Sequence, residues 1–199
     1  MATTYTYQLA AYPKELTLRD GTTVVLKPMT EDDTEALLQF FQQVPPDDRY
    51  FLKEDVTSPK VLQRWAAELD YNRALPLLAW IDGKIVADGT LHRSRSLARR
   101  HVGEVRIVVH PQYRNQGLGT TMLHELALIA NEHGIERLLF QVVAEREESA
   151  VKAAELVGFI KIAVLPGHAK DRDGRPRDIV FFSYLDYLNN RAKKTKLMS

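Results

Sequence analysis

The chain has 199 residues, 45% of them hydrophobic, and a formal net charge of +1. That length fits one domain, and the apolar content is enough for a real core, which excludes global disorder. The near-neutral charge gives no whole-molecule field that would favour nucleic acid or an anionic membrane as a partner. Because the sequence has no cysteine, it excludes a disulfide framework, a thiolate nucleophile and a cysteine-ligated zinc site.

The sequence carries no targeting or membrane-spanning signal. Residues 1–14 lack a basic region followed by an apolar run, which a signal peptide would show. No apolar stretch approaches the roughly 20 residues that span a bilayer. We therefore expect a cytoplasmic protein without a membrane partner. The expected organisation is an N-terminal arm (1–14), one domain (15–188) and a basic, mobile tail (189–199).

The first half of the chain predicts two β-hairpins separated by two helices. Each hairpin has an Asp-Gly pair, which supplies the positive φ of a tight turn. Each helix begins beside a hydroxyl residue that can act as its cap, and prolines mark the end of the first helix and the start of the second. The expected elements are a hairpin turning at Asp20-Gly21, helices beginning at Thr30 and Ser58, and a hairpin turning at Asp82-Gly83.

The second half alternates strands with helices. Apolar residues recur at helical spacing over 117–133, and Gly134 stands where a C-terminal cap belongs. The segment 102–143 is the strand–helix–strand crossover that contains a glycine turn. Together the elements predict an α/β fold (α+β type) with a central mixed, mostly antiparallel sheet and about four flanking helices. The other expected elements are strands at 160–165 and 179–185, joined by a polar loop, and a helix at 148–157.

The glycine turn in this crossover suits an anion. The first N–H groups of a helix have no intrahelical partner, and the helix dipole adds positive potential there. Gly117 and Gly119 let a ligand approach the backbone, and Arg114 adds charge at the rim. The turn therefore predicts a pyrophosphate site. The turn lacks the Gly-Lys-Ser/Thr of a P-loop and the third glycine of a dinucleotide-binding fingerprint. The alternative to an anion site is a plain turn in which the glycines serve only packing.

A longer match surrounds this turn. Residues 105–120 resemble the acetyl-CoA motif of the GNAT N-acetyltransferases, Val-x-Pro-x-x-Arg/Gln-x-x-Gly-x-Gly/Ala, at every fixed position. Residues 148–159, which end in Gly158-Phe159, resemble the family's next helix. The element order from Thr22 to Tyr184 resembles the whole domain. The resemblance implies the GNAT (acyl-CoA N-acyltransferase) fold, N-acetyltransferase activity and acetyl-CoA as cosubstrate, with no metal.

The resemblance also implies roles for individual residues. The backbone of the strand end is expected to pair with the pantetheine arm and to polarise the thioester carbonyl, a role compatible with a buried strand. The turn that follows is expected to hold the pyrophosphate. The implied cofactor-binding residues are Ile107, Val108, Val109, Arg114, Asn115, Gln116, Gly117, Leu118, Gly119 and Thr120.

Acetylation of an amine needs a proton acceptor, since a lysine-like amine with a pKa of ~10.4 is mostly protonated at neutral pH. Glu104 is our candidate general base, because its position is similar to that of a catalytic glutamate in several GNAT enzymes. The alternative is a structural glutamate paired with Arg106 or Arg137. Two positions that carry a tyrosine acid and a second glutamate in other members hold apolar residues here, Ala154 and Val142.

The sequence does not single out one residue as the general acid. The polar candidates are Tyr50, His92, His168, Tyr184 and Tyr187, and a structural role is the alternative for each histidine. The resemblance places the acceptor pocket at two polar loops, 45–56 and 166–178. The opening residues 16–22, with Asp48-Arg49-Tyr50-Phe51, resemble bacterial protein-lysine acetyltransferase domains.

We therefore expect acetyl transfer to a primary amine, either a small molecule or a protein lysine, by direct attack, from a monomer or a homodimer. The alternative is a catalytically silent acyl-CoA-binding sensor or scaffold, which the apolar Ala154 and Val142 favour. Nucleic-acid binding through the arginines of 93–100 and the basic tail is disfavoured, because no aromatic platform is interleaved with those charges.

Overall fold

An eight-stranded mixed sheet organises the protein, with the strand order β1-β2-β3-β4-β5-β6-β8-β7. The computed structural model describes residues 9–185; most of the expected N-terminal arm, the basic tail and Tyr187 lie outside this range. The strands are β1 (Lys14–Thr17), β2 (Thr23–Pro28), β3 (Ala74–Ile81), β4 (Lys84–Arg93), β5 (Val102–Val109), β6 (Arg137–Val143), β7 (Ile160–Lys170) and β8 (Pro176–Leu185). The β5–β6 pair is parallel and the other neighbouring pairs are antiparallel, which confirms the expected fold class.

Helices cover parts of both faces of this sheet. In chain order they are α1 (Thr34–Gln43), the single turn α2 (Pro46–Arg49), α3 (Pro59–Ala67), α4 (Leu118–Glu132) and α5 (Glu148–Val157). One apolar cluster joins α1 and α3 to one face, and a larger one joins α4 and α5 to the other. β3 contributes to both clusters, because successive side chains of a strand point to opposite faces: Leu77 packs on the α4 side and Leu78 on the α1 side.

Helix α4, which begins at the glycine turn, lies close against β4. A side chain at Gly89 would meet the Met122 methyl group at 2.8 Å and Leu126 at 3.0 Å. The absence of a side chain at Gly89 therefore sets how near the helix approaches the sheet. Met122 and Leu126 are fully buried at this contact, and burial of such side chains contributes about 1.5–3 kcal/mol each.

The expected extent of the polar loop, 166–178, was wrong. β7 and β8 continue as a two-stranded ribbon into this region, with Ala169 opposite Arg177, and leave a turn of residues 171–175. Asp171 fixes that turn: its Oδ1 accepts from the backbone N–H groups of Asp173 and Arg175, and its Oδ2 accepts from the Arg177 guanidinium at 2.8 Å. A ribbon that is exposed on both sides shows no alternation of apolar and polar residues, so its strands carry no periodic signal.

The parallel strands β5 and β6 separate halfway along their length. They pair from Val102 opposite Arg137 to Val105 opposite Phe140. Beyond that point β5 stays with β4 as far as Val109, and β6 stays with β8 as far as Val143. The sheet therefore opens into a cleft whose inner corner lies at Val105 and Phe140.

Candidate active site

The cleft between β5 and β6 has a volume of about 380 Å³. One wall is the end of β5 with the glycine turn and the start of α4, and the other is the end of β6 with α5. Most of the cofactor-binding residues implied by sequence line it: Ile107, Val108, Val109, Arg114, Asn115, Gly117, Gly119 and Thr120. Two do not, since Leu118 is buried in the core and Gln116 turns its amide to the Gln112 carbonyl.

The open edge of β5 presents backbone groups to this cleft. The N–H of His110 donates to the Val86 carbonyl at 2.9 Å, and Val108 lies opposite Asp88. Because antiparallel ladders alternate, the N–H and C=O groups of Val108 face β4, and those of Ile107 and Val109 face the cleft. Val108 lines the cleft through its side chain. The Val109 carbonyl already accepts a hydrogen bond from Arg114 Nε at 3.0 Å.

The glycine turn ends with the N-terminus of α4 pointing into the cleft. Asn115 and Gly117 have left-handed backbones, with φ of 61° and 89°, which reverse the chain within three residues. Gly117 is the cap residue of α4, so the N–H groups of the first helical turn have no partner within the helix. A side chain at Gly119 would have only Val109 Cγ2 nearby, at 3.6 Å. The fold leaves this position open on the side where an anion would bind.

An acidic segment crosses the mouth of the cleft; we call residues 46–52, which include α2, the strap. Asp48 pairs with Arg114 at 2.8 Å and lies 3.9 Å from Arg146. Asp47 pairs with Arg172 of the β7–β8 turn at 3.3 Å and lies 3.6 Å from Arg146. The strap therefore connects both halves of the divided sheet through ion pairs, and its Phe51 and Leu52 line the cleft.

The candidate base Glu104 lies on β5 below the cleft and does not line it. Its Oε1 accepts hydrogen bonds from Arg106 Nε at 3.0 Å and from the terminal nitrogen Nη2 at 2.6 Å, whereas Arg137 donates to Ser183. Burial alone would raise the pKa of Glu104, but the hydrogen bonds and charge of Arg106, with the charge of Lys53, outweigh it and lower that pKa. Glu104 is therefore a carboxylate at neutral pH.

Two further titratable groups share this face of the sheet. His92 lies opposite Glu104 in the β4–β5 pair. Burial, then the charge of Arg106, lowers its pKa to about 4, so the ring is neutral at neutral pH. Asp88 lies opposite Val108, and burial raises its pKa to about 7 against the opposing effect of the Thr90 hydroxyl, 3.2 Å away. Sequence reasoning did not single out Asp88, because its partial burial under α1 depends on tertiary packing.

The two positions that hold an acid and a second base in some of the GNAT enzymes that the sequence resembles are apolar and buried here: Ala154 and Val142. Of the sequence candidates, Tyr50 is half exposed, Tyr184 packs on Phe159 and His168 lies exposed on β7.

A carboxyl group that the sequence analysis passed over does line the cleft. Glu147 accepts a hydrogen bond from the Val143 N–H at 2.5 Å. Desolvation between the cleft walls, reinforced by the charge of Asp48, raises the pKa of Glu147 despite that hydrogen bond. The cleft thus contains one carboxyl group with increased affinity for a proton.

Within residues 9–185, no group of three or more His, Asp or Glu side chains is arranged to hold a metal ion. No helix in the same range has the length and apolar character needed to cross a membrane.

Comparisons with known proteins agree with this geometry. The sequence profile of the Acetyltransferase (GNAT) family matches residues 34–159. An acetyltransferase of Pseudomonas aeruginosa is 25% identical over 128 residues, which cover 61% of this chain and 67% of the relative. The GNAT domain of S. lividans PAT has a TM-score of 0.71 at 24% identity, covering 86% of this chain and 96% of that domain. A Salmonella typhimurium protein solved with its cofactor acetyl-CoA has a TM-score of 0.68 at 16% identity, covering 81% and 93%.

Proposed function

Because the chain belongs to the Acetyltransferase (GNAT) family and is an acetyltransferase of that family, we propose that it transfers acetyl from acetyl-CoA to a primary amine by direct attack. The amine belongs to a small molecule or to a protein lysine. The observation that carries this proposal is the separation of β5 from β6 beside the N-terminus of α4. This separation exposes backbone groups of β5 and the N–H groups at the start of α4 to the same cleft, where one elongated ligand can contact both.

In this proposal the pantetheine arm lies along the open edge of β5, as an added strand would. The backbone groups of Ile107 and Val109 face that position, and the amide-rich arm can pair with them. The pyrophosphate lies over residues 115–120, where the helix dipole and the free N–H groups favour negative charge. The thioester carbonyl is polarised by a backbone N–H of the same edge.

The reaction forms one bond and breaks one bond at the thioester carbon. The amine nitrogen attacks the carbonyl carbon, the C–S bond breaks, and the sulfur leaves as a thiolate. The CoA thiol has an acidity close to the ~8.5 of a free thiol, so its thiolate is a tolerable leaving group that water can protonate. The proton lost by the amine goes to Glu104. Glu104 is three residues before Ile107, about 10 Å along the strand, so we propose that this transfer passes through water.

The test is release of CoA thiol from acetyl-CoA in the presence of a panel of small amines and lysine peptides. We expect release that depends on both an amine and the protein, and none with Gly119→Val, whose branched side chain would occupy the phosphate position. The second candidate, a silent acyl-CoA-binding module, is favoured by the apolar side chains at Ala154 and Val142. Binding of acetyl-CoA without thiol release for any acceptor would favour that module.

A further inference from the structure

The face of β4 and β5 that lies on the α1 side carries a row of polar side chains next to the cleft. Thr90 lies opposite Arg106, and His92 lies opposite Glu104, so all four side chains share that face. The glycine turn and α4, where the cofactor's phosphates are proposed to bind, flank the other face. An acceptor that reaches the thioester from the α1 side therefore passes this polar row.

Arg106 is the member of this row that lines the cleft. Its Nε and Nη2 both donate to Glu104, and its remaining terminal nitrogen Nη1 has no hydrogen bond to any group in residues 9–185. The side chain is 24% exposed. A guanidinium with a free pair of donors on a cleft wall is suited to an oxyanion.

A second cation lies near this row, since the charge of Lys53 acts on both Glu104 and His92. Lys53 follows the cleft-lining residues Phe51 and Leu52 of the strap. Over the described part of the chain, no carboxylate lies within 4.0 Å of Lys53 or of Arg73. The positive charges of Lys53 and Arg73 both act on His92, which stays neutral. Glu104 is the carboxylate paired with Arg106, so Lys53 and Arg73 add positive charge that no ion pair neutralises beside His92 and Glu104.

We propose that the acceptor is a small primary amine that also carries a carboxylate, as an amino acid does, and that Lys53 and Arg106 bind this carboxylate. The inference rests on the proposed acetyl transfer and specifies its substrate class. Pairing with the carboxylate would neutralise the positive charge of Lys53 and orient the amine toward the thioester. A lysine in a basic protein segment would be repelled by the same cations.

The experiment compares matched pairs of amines, an α-amino acid and the amine that remains after its decarboxylation, by acetyl-CoA-dependent thiol release. We expect kcat/KM to be at least roughly 10-fold higher for the amino acid. In Lys53→Met we expect KM for the amino acid to rise by about the same factor, so that the preference for the amino acid over the decarboxylated amine falls. The matched control is Lys60→Met, an exposed lysine on α3, which should behave as the wild type.

A hydroxy acid, which keeps the carboxylate but lacks the amine, gives a readout without turnover. It should inhibit the wild type competitively against the amino acid and inhibit Lys53→Met more weakly. Equal turnover of both members of a pair, or turnover of lysine peptides alone, would overturn the carboxylate proposal and leave acetyl transfer standing. Acetyl-CoA binding without thiol release for every acceptor would instead remove acetyl transfer, and the carboxylate proposal with it.

Discussion

Arg114 and Asp48 form an ion pair of 2.8 Å across the mouth of the cleft, although 66 residues separate them in the sequence. Arg114 belongs to the turn proposed to hold the pyrophosphate, and Asp48 belongs to the strap. A negative charge on the strap therefore neutralises a cation that phosphate groups would otherwise attract. Both side chains are about one-third exposed, so solvent and salt weaken the pair.

Removing this negative charge should strengthen cofactor binding. In Asp48→Asn, Arg114 and Arg146 lose an anionic neighbour and become available to the pyrophosphate. We expect the Kd of acetyl-CoA to fall by roughly 2- to 5-fold at low salt, with a smaller effect at high salt. Calorimetric titration at two salt concentrations measures this, with the exposed Asp32→Asn as control. Weaker binding in Asp48→Asn would mean that the strap supports the site rather than competing for its cations.

Substitution of Gly119 by alanine should increase the stability of the free protein but reduce its stabilisation by acetyl-CoA. The helical backbone of Gly119 and the 3.6 Å distance to Val109 Cγ2 accommodate a methyl group, so Gly119→Ala should stabilise the free protein by about 0.5–1 kcal/mol. The same methyl group faces the proposed phosphate position and should reduce the stabilisation by acetyl-CoA. For the wild type that stabilisation is about 2.7 kcal/mol at roughly 100 times Kd.

Thermal unfolding with and without acetyl-CoA separates these two effects. Gly117→Ala is the contrasting variant, because its φ of 89° strains any side chain, and it should lower the stability of the free protein by about 1 kcal/mol. If acetyl-CoA stabilises Gly119→Val as strongly as the wild type, the phosphate assignment is incorrect.

Glu104→Gln should lower kcat by roughly 100-fold or more with little change in acetyl-CoA affinity, because it removes proton acceptance and keeps the shape. Arg106 holds the pKa of Glu104 below its usual range, so this carboxylate stays ionised from mildly acidic to alkaline pH. The rise of the wild-type rate with pH should then follow deprotonation of the acceptor amine. A pH–rate profile tests this, and wild-type turnover in the variant would assign Glu104 a structural role in its pair with Arg106.

Asp88 should make the folded state less stable as pH increases from about 4 to about 7. Burial raises its folded pKa to about 7, above that of an unfolded aspartate at ~3.9. Within that window the unfolded chain releases the proton more readily than the folded protein does. The free energy of unfolding therefore decreases as pH rises, and the decrease is complete above about pH 7. Asp88→Asn, which stays uncharged, should therefore gain in Tm over the wild type at about pH 8 and much less at about pH 4. A difference in Tm that does not change with pH would contradict the raised pKa.

Local patterns in the sequence determined much of the framework. Both Asp-Gly hairpins lie where they were expected. The crossover of β5, α4 and β6 spans 102–143 as expected, α5 has the expected bounds, and α4 differs by one residue at each end. Each of these signals depends on neighbours within one or two turns of chain: a residue suited to positive φ, a cap, or apolar side chains at helical spacing. The glycine turn belongs to this class too, since its two glycines and the following helix are contiguous.

Only the tertiary structure decided the features that join distant segments. The separation of β5 from β6, the strap pairing with Arg114 and the burial of Asp88 all depend on where the chain packs. The two-sided β7–β8 ribbon was missed for a related reason, because its exposed faces impose no apolar alternation. Hydrogen-bond partners and burial are set by contacts across many residues, and no local spacing encodes them.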